Sequence, residues 1–328
     1  MRYLPIGCFV VFALDASVSG QDLRRGLVAA DAVVVARQVA KVAHDDDVTL
    51  HTLQVLLDVR GGGGATSVVV LDWPRLALHQ RPTLRQSRLY CLTDASRNAA
   101  QLGLPPANGP YFKMVGFAGS NPLVGADLDK DPIVGFARLL AAAEAGAPPA
   151  DTARATAAAA LGADLTVRLE AARHLAEMPT LRGRLDGVQW SAFVARAVGE
   201  TEDLTYKSAL AELCAEQRLD GLFDALLVGL SETPDVAYAR TVGRIGKALH
   251  GEDAANRLLT RLQQVGQRER RAPLLVALGA TNTAAALDAL LRMDRAEPAV
   301  VDGLRAHRDP RAVAAVAAAE RTTGKSPK

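Results

Sequence analysis

Alternation of apolar and polar positions marks the first third of the chain. From Asp31 to Ala43 (DAVVVARQVAKVA), Val33, Val35, Arg37, Val39 and Lys41 fall on one side, and Val34, Ala36, Gln38, Ala40 and Val42 on the other. A period of two is the pattern of a β-strand. After the polar turn Asp45-Asp46-Asp47, the stretch Val48 to Val59 alternates again, which predicts a hairpin. Gly61 to Gly64 end that strand and hand over to Thr66 to Leu71 (TSVVVL). Further strands are expected at Arg88 to Thr93 and Tyr111 to Phe117, with a long loop or insertion from Ala95 to Pro110. Five strands with short turns fit a small antiparallel barrel or sandwich.

Beyond about residue 130 the period lengthens. In Asp253 to Val265, Ala255, Leu258, Leu259, Leu262 and Val265 form one stripe, leaving Asn256, Arg257, Thr260, Arg261 and Gln264 outside. In Asp203 to Gln217, Tyr206, Ala209, Leu210, Leu213 and Cys214 fall together in the same way. Helices are expected to open near Asp131-Pro132, Asp164, Asp203, Asp235, Arg268 and Glu297-Pro298, because Asp and Pro are helix-start residues. These openings recur at intervals with room for two helices and a turn. No such pair can bury its stripe alone, so stacked pairs, an α-solenoid, are expected.

The unit that begins Asp164-Leu165-Thr166-Val167-Arg168-Leu169 resembles the first helix of a HEAT repeat; Leu274 to Leu291 and Asp309-Pro310-Arg311-Ala312-Val313 are similar. The resemblance implies HEAT-like helical pairs over roughly two thirds of the chain. Ala30 to Ala36, the hairpin ending in Val59-Arg60-Gly61 and the strand at Arg88-Leu89-Tyr90 resemble the netrin-module and tissue-inhibitor-of-metalloproteinase group. That resemblance implies an OB-like barrel. The group's inhibitors chelate zinc through an N-terminal cysteine, and a chain starting near Gln21 has none, so the inhibitory mechanism is not expected here.

Composition sharpens this organisation. Of 328 residues, 49% are hydrophobic, enough for real cores and too many for a disordered chain. Lys plus Arg is 38 against 36 for Asp plus Glu, which argues against a nucleic-acid or membrane-surface binder that works by massed positive charge. Arg2, the apolar run Leu4 to Leu14 and the small residues Val18-Ser19-Gly20 read as an export signal cleaved ahead of Gln21. The expected division is a signal peptide over 1–20, a β-barrel over 21–127, an α-solenoid over 128–322 and a frayed tail over 323–328. A periplasmic or extracellular monomer follows if the signal is real, and a cytoplasmic protein otherwise. No other stretch has the roughly 18 apolar residues that span a bilayer.

Candidate chemistry is sparse. His44, His51, His79, His174, His250 and His307 stand singly, without the spacing that puts two zinc ligands on one helical face. Cys91 and Cys214 lie in different expected domains and are read as buried thiols. The glycines at 61–64 precede a β-type segment, so a hairpin loop is expected in place of a phosphate cradle. Asp127, Asp129 and Asp131 open like a calcium loop, but Pro132 and Arg138 stand where Gly and Glu are required. Arg268-Glu269-Arg270-Arg271 reads as a solvated turn, and Trp190 with Phe193 as core. No catalytic, cofactor or metal residue is assigned. The expected function is a non-enzymatic scaffold that binds a protein partner, with Asn256, Arg257 and Arg261 as the contact residues. The alternatives are a hydrolase with its site in an interdomain cleft and a cytoplasmic structural adaptor.

Overall fold

The computed structural model describes residues 22–45, 47–73, 85–105, 110–115, 121–230, 235–266 and 268–322. The expected export segment with Cys8, His79, Asp46, the side chains of Arg268 and Glu269, and the tail 323–328 lie outside the described residues. The chain divides into two compact units, one ending at Gly146 and one beginning at Ala147.

The first unit comprises α1 (Asp22–Ala29), β1 (Ala32–Ala43), β2 (Thr49–Arg60), β3 (Ser67–Asp72), β4 (Ser87–Asp94), α2 (Ser96–Gln101), β5 (Tyr111–Met114) and α3 (Pro132–Glu144). The strands close into a barrel in the order β1-β2-β3-β5-β4. Alternation fills its interior: Val34 and Ala36 of β1, Leu53 of β2, Val68 and Val70 of β3, Tyr90 and Leu92 of β4, and Phe112 and Met114 of β5 pack together. Register shifts between Val33/Val34, Val35/Ala36 and Gln38/Ala40 bend the long hairpin enough for the sheet to curl.

Two expectations need correction here. The barrel is not wholly antiparallel, since β3 and β5 run parallel, with Val70 opposite Phe112. Two strands far apart in sequence make that pair, so no local turn signals it. The stretch Ala95 to Pro110 is not simply loop, because α2 occupies Ser96–Gln101. Along the first half of β4, the segment at 121–124 supplies the partners that β5 is too short to give. Leu89 N–H donates to the Pro122 carbonyl, Val124 N–H to Ser87, and the buried Asn121 side chain accepts from Cys91 N–H at 3.0 Å.

Gly61 turns the chain after β2 with φ +71°, and a Cβ there would overlap the Asp31 carbonyl, so the turn admits only glycine. One residue earlier, Arg60 donates to the carbonyls of Leu27 and Ala30 at 2.6 and 2.7 Å, satisfying the C-terminal end of α1, and also pairs with Glu144 at the end of α3. A single guanidinium thereby ties α1, β2 and α3 together.

The second unit is helical: α4 (Pro149–Ala160), α5 (Leu165–Glu177), α6 (Pro179–Arg182), α7 (Gly187–Gly199), α8 (Leu204–Glu216), α9 (Leu222–Leu230), α10 (Val236–His250), α11 (Asp253–Gln264), α12 (Arg268–Ala280), α13 (Ala284–Arg292), α14 (Pro298–Ala306) and α15 (Pro310–Thr322). The expected openings are where helices begin. Asp164, Asp203 and Asp235 are the N-caps of α5, α8 and α10, and each carboxylate accepts the N–H three residues on, at 2.8, 2.9 and 2.6 Å. The helices α5, α8, α10, α12 and α14 pack each on the next, and α7 on α9, α11 on α13 and α13 on α15 run beside them.

A repeated joint links the first row. Arg168 of α5 lies over the Tyr206 ring of α8 at 4.4 Å, and Lys207 of α8 over the Tyr238 ring of α10 at 4.7 Å. Each cation is four residues after its capping aspartate and each ring three residues after its own. Further along, small residues set the spacing. Cβ atoms built on Gly243 or Gly279 would overlap the carbonyl oxygens of Ala277 or Gly303, so α10, α12 and α14 touch backbone to backbone.

Candidate functional site

Several of the carboxylates singled out from the sequence hold the fold together. Asp131 caps α3, accepting from Ile133 and Val134 N–H with one oxygen and from Gly125 N–H with the other. Asp129 pairs with Arg138 and Asp127 with Lys130, so the calcium-like trio is a helix start and two ion pairs. Asp45 accepts from Asp47 and Val48 N–H, closing the hairpin turn. In the glycine loop, the Asp58 carboxylate accepts from Gly62 and Gly64 N–H, each at 3.0 Å. The N–H groups that could have cradled a phosphate already hold an anion of the chain's own.

Inside the barrel, His51 Nε2 lies 3.3 Å from Asp72 Oδ2, and both side chains are buried. Cys91 falls between Tyr90 and Leu92, which face inward, so it faces outward and cannot meet His51. Burial pushes the Cys91 thiol up to about 12, against the pull of Arg60, and the Cys214 thiol likewise to about 12. Thiolate is the reactive form. On the native protein at mildly alkaline pH, peptides containing Cys91 and Cys214 are therefore expected to stay unlabelled by iodoacetamide. In denaturant both should label, and mass spectrometry of the digests checks each site. Trp190 and Phe193 are core, meeting edge to face with centroids 5.8 Å apart. Among the described residues, no group of three or more His, Cys, Asp or Glu side chains could hold a metal ion, and no helix is long and apolar enough to cross a membrane.

The exposed side of α11 differs from these places. Ala254, Ala255, Leu258 and Leu262 turn inward, and Asn256, Arg257, Thr260, Arg261 and Gln264 turn outward to line a groove of about 470 Å³. The opposite wall comes from Asp224, Leu227 and Val228 of α9. The groove has room because α9 and α11 pack more sparsely than α7 with α9 or α11 with α13. One side chain spans it. Arg257 donates from Nη1 to both Asp224 carboxylate oxygens, at 3.1 and 3.0 Å, and from Nε to Asp253 at 3.0 Å. Hydrogen bonds from Arg257 and then Asn256 hold the Asp253 carboxyl below its ordinary pKa, and bonds to Asp253 and Asp224 raise that of Arg257.

Arg261, one turn on, has no such brace. Its Nη1 donates at 3.4 Å to Gln264, and its Nε is buried with no partner among the described residues. The three contact residues expected from the sequence thus line one groove, with Arg257 as strut and Arg261 as a cation that pairs with no carboxylate among the described residues. Sequence reasoning missed Asp224, Leu227 and Val228. Asp224 meets Arg257 across 33 residues, and no local signal reports that distance. No family model, curated protein or solved structure matches the chain.

Proposed function

We propose that this chain is a non-enzymatic, exported scaffold that binds a protein partner as a monomer, an OB-like barrel followed by an α-solenoid of HEAT-like helix pairs. The strand order 1-2-3-5-4 closing on strand 1 supports the OB-like reading. The solenoid reading draws on the row α5, α8, α10, α12 and α14, in which each helix packs on the next, and on the aspartate caps that recur at the starts of α5, α8 and α10. Export rests on Arg2, the apolar run after it and the small residues before Gln21. The scaffold reading is favoured by the many carboxylates spent on caps, turns and ion pairs.

The observation that carries the proposal is the α9–α11 groove, where Asn256, Arg257 and Arg261 come together on the outer side of a helix row. A photo-crosslinking residue placed at Thr260, activated in cells that make the protein, is expected to yield one dominant adduct. Mass spectrometry should place the adduct on a partner segment. Replacing Arg257 and Arg261 together by glutamine should remove that adduct while the far-ultraviolet circular dichroism stays that of a folded helical unit. An unchanged adduct in the folded double variant would exclude this groove. Intact mass of the purified protein tests export: a chain beginning at Gln21 supports it, and one beginning at Met1 refutes it.

A further inference from the structure

We infer that the α9–α11 groove receives a carboxylate, the side chain of an Asp or Glu within a short apolar segment of the partner, and that Arg261 is the residue that reads it. This inference rests on the groove being the docking face proposed above, and adds the chemistry of its occupant.

Four observations on α9 and α11 point the same way. The first is that the groove's two arginines are unequal. Arg257 already has three carboxylate contacts, through Asp224 and Asp253, whereas Arg261 has one long bond to the neutral amide oxygen of Gln264. The second is the Nε of Arg261, shielded from solvent with nothing to donate to among the described residues. A buried charged donor without an acceptor is costly, and an arriving carboxylate lifts that cost with a charge-assisted hydrogen bond. The third is the order of charges along α11. Asp253, Arg257 and Arg261 follow at steps of four, so Asp253 stands about 12 Å along the axis from Arg261. The acidic end of the groove is therefore far enough away, and sufficiently neutralised by Arg257, not to repel an anion at the other end. The fourth is the facing wall. Val228 of α9, which lines the same groove, is 51% exposed, an apolar surface for the residues that flank the acid. Thr260 and Gln264 add uncharged hydrogen-bonding groups around the same spot.

The probe is a blocked, fluorescein-tagged peptide, Ser-Gly-Leu-Glu-Leu-Ser-Gly, compared with the same peptide carrying Gln for Glu. Fluorescence anisotropy with the whole protein at low salt is expected to show the Glu peptide binding about tenfold tighter. Raising the salt should erode that advantage. Arg261→Gln should bring the two affinities within about twofold of one another. Arg240→Gln, at an exposed arginine outside the groove, should preserve the tenfold difference. Equal affinities for the intact chain, no binding of either peptide, or discrimination that survives Arg261→Gln would each overturn the inference. Equal affinities together with a Thr260 adduct that disappears in the double variant would keep the docking face and remove the carboxylate. A Thr260 adduct unaffected by the double variant would remove the face itself.

Discussion

Gly279→Ala is expected to destabilise the helical unit by about 3 kcal/mol, although alanine is the better helix former. In an open helix the exchange would stabilise by up to about 1 kcal/mol. At Gly279 the added methyl would sit on the carbonyl oxygen of Gly303 across the α12–α14 contact, and Ala306 Cβ stands 3.2 Å from the same point. The obstruction is backbone, which cannot rotate away as a side-chain tip would, so the two helices must separate. Separation strips contact from Leu274, Leu278 and Leu304, all fully buried, and each fraction of an ångström weakens their packing. Gly199→Ala, at the end of α7 where a Cβ meets nothing within 4 Å, is the control and should be neutral or slightly stabilising. Urea unfolding followed by circular dichroism at the helix band separates the two. Equal midpoints for both variants would mean that α12 and α14 do not touch as described.

The second large effect is expected at Arg168. This arginine, 4% exposed, reaches toward Glu200 and Asp203 at 3.5 and 3.6 Å while its guanidinium covers the Tyr206 ring. Glu200 ends α7, and Asp203 caps α8, so the cluster joins three helices. Removing one member of a buried ion cluster strips the others of a counter-charge, leaving Glu200 only Arg196 as an ion-pair partner among the described residues, so Arg168→Met should cost about 3 kcal/mol. Adding Glu200→Gln to that variant should return part of the loss, because the stranded charge is gone. The pH dependence has a definite sign. Burial pushes the Glu200 carboxyl up, and the N–H groups of Glu202 and Asp203, with Arg168 and Arg196, more than reverse it, so its pKa lies below the ordinary carboxylate value. A lowered folded-state pKa adds stability above the ordinary carboxylate range, and that stability is lost as pH falls through the lowered value. Without Arg168 the carboxylate titrates higher, so the variant should begin to lose stability at a higher pH than its parent. Thermal melts across the acid range would show it; identical pH profiles would count against the cluster.

The sequence reveals the elements more readily than their neighbours in space. The hairpin of β1 and β2 is legible because its two-residue alternation meets a polar turn, and the helix starts are legible because aspartate capping is a local bond of three residues' reach. Neither signal carries across the fold. The parallel partner of β3 and the strand-like service of 121–124 beside β4 arise from residues brought together only by barrel closure. The helix α2 is hidden by its brevity among proline and glycine neighbours. Arg168, Glu170 and Lys207 have the composition of a solvated face and are buried all the same, because neighbouring helices cover them. The candidate site was half visible: amphipathicity assigns Asn256, Arg257 and Arg261 to the outside of α11, but says nothing of the facing wall or of which arginine is already engaged.

The joint between Arg168 and Tyr206 is made again by Lys207 and Tyr238 from the same steps after a capping aspartate. Its two halves are therefore interchangeable parts. Excising residues 203–234 would bring Arg168 up against Tyr238, which occupies the step that Tyr206 held, and duplicating them would insert one more copy of the same coupling. On the stacked-pair reading proposed above, adding or removing one whole cap-to-cap length keeps the seam, whereas a change of a few residues between two caps would break it.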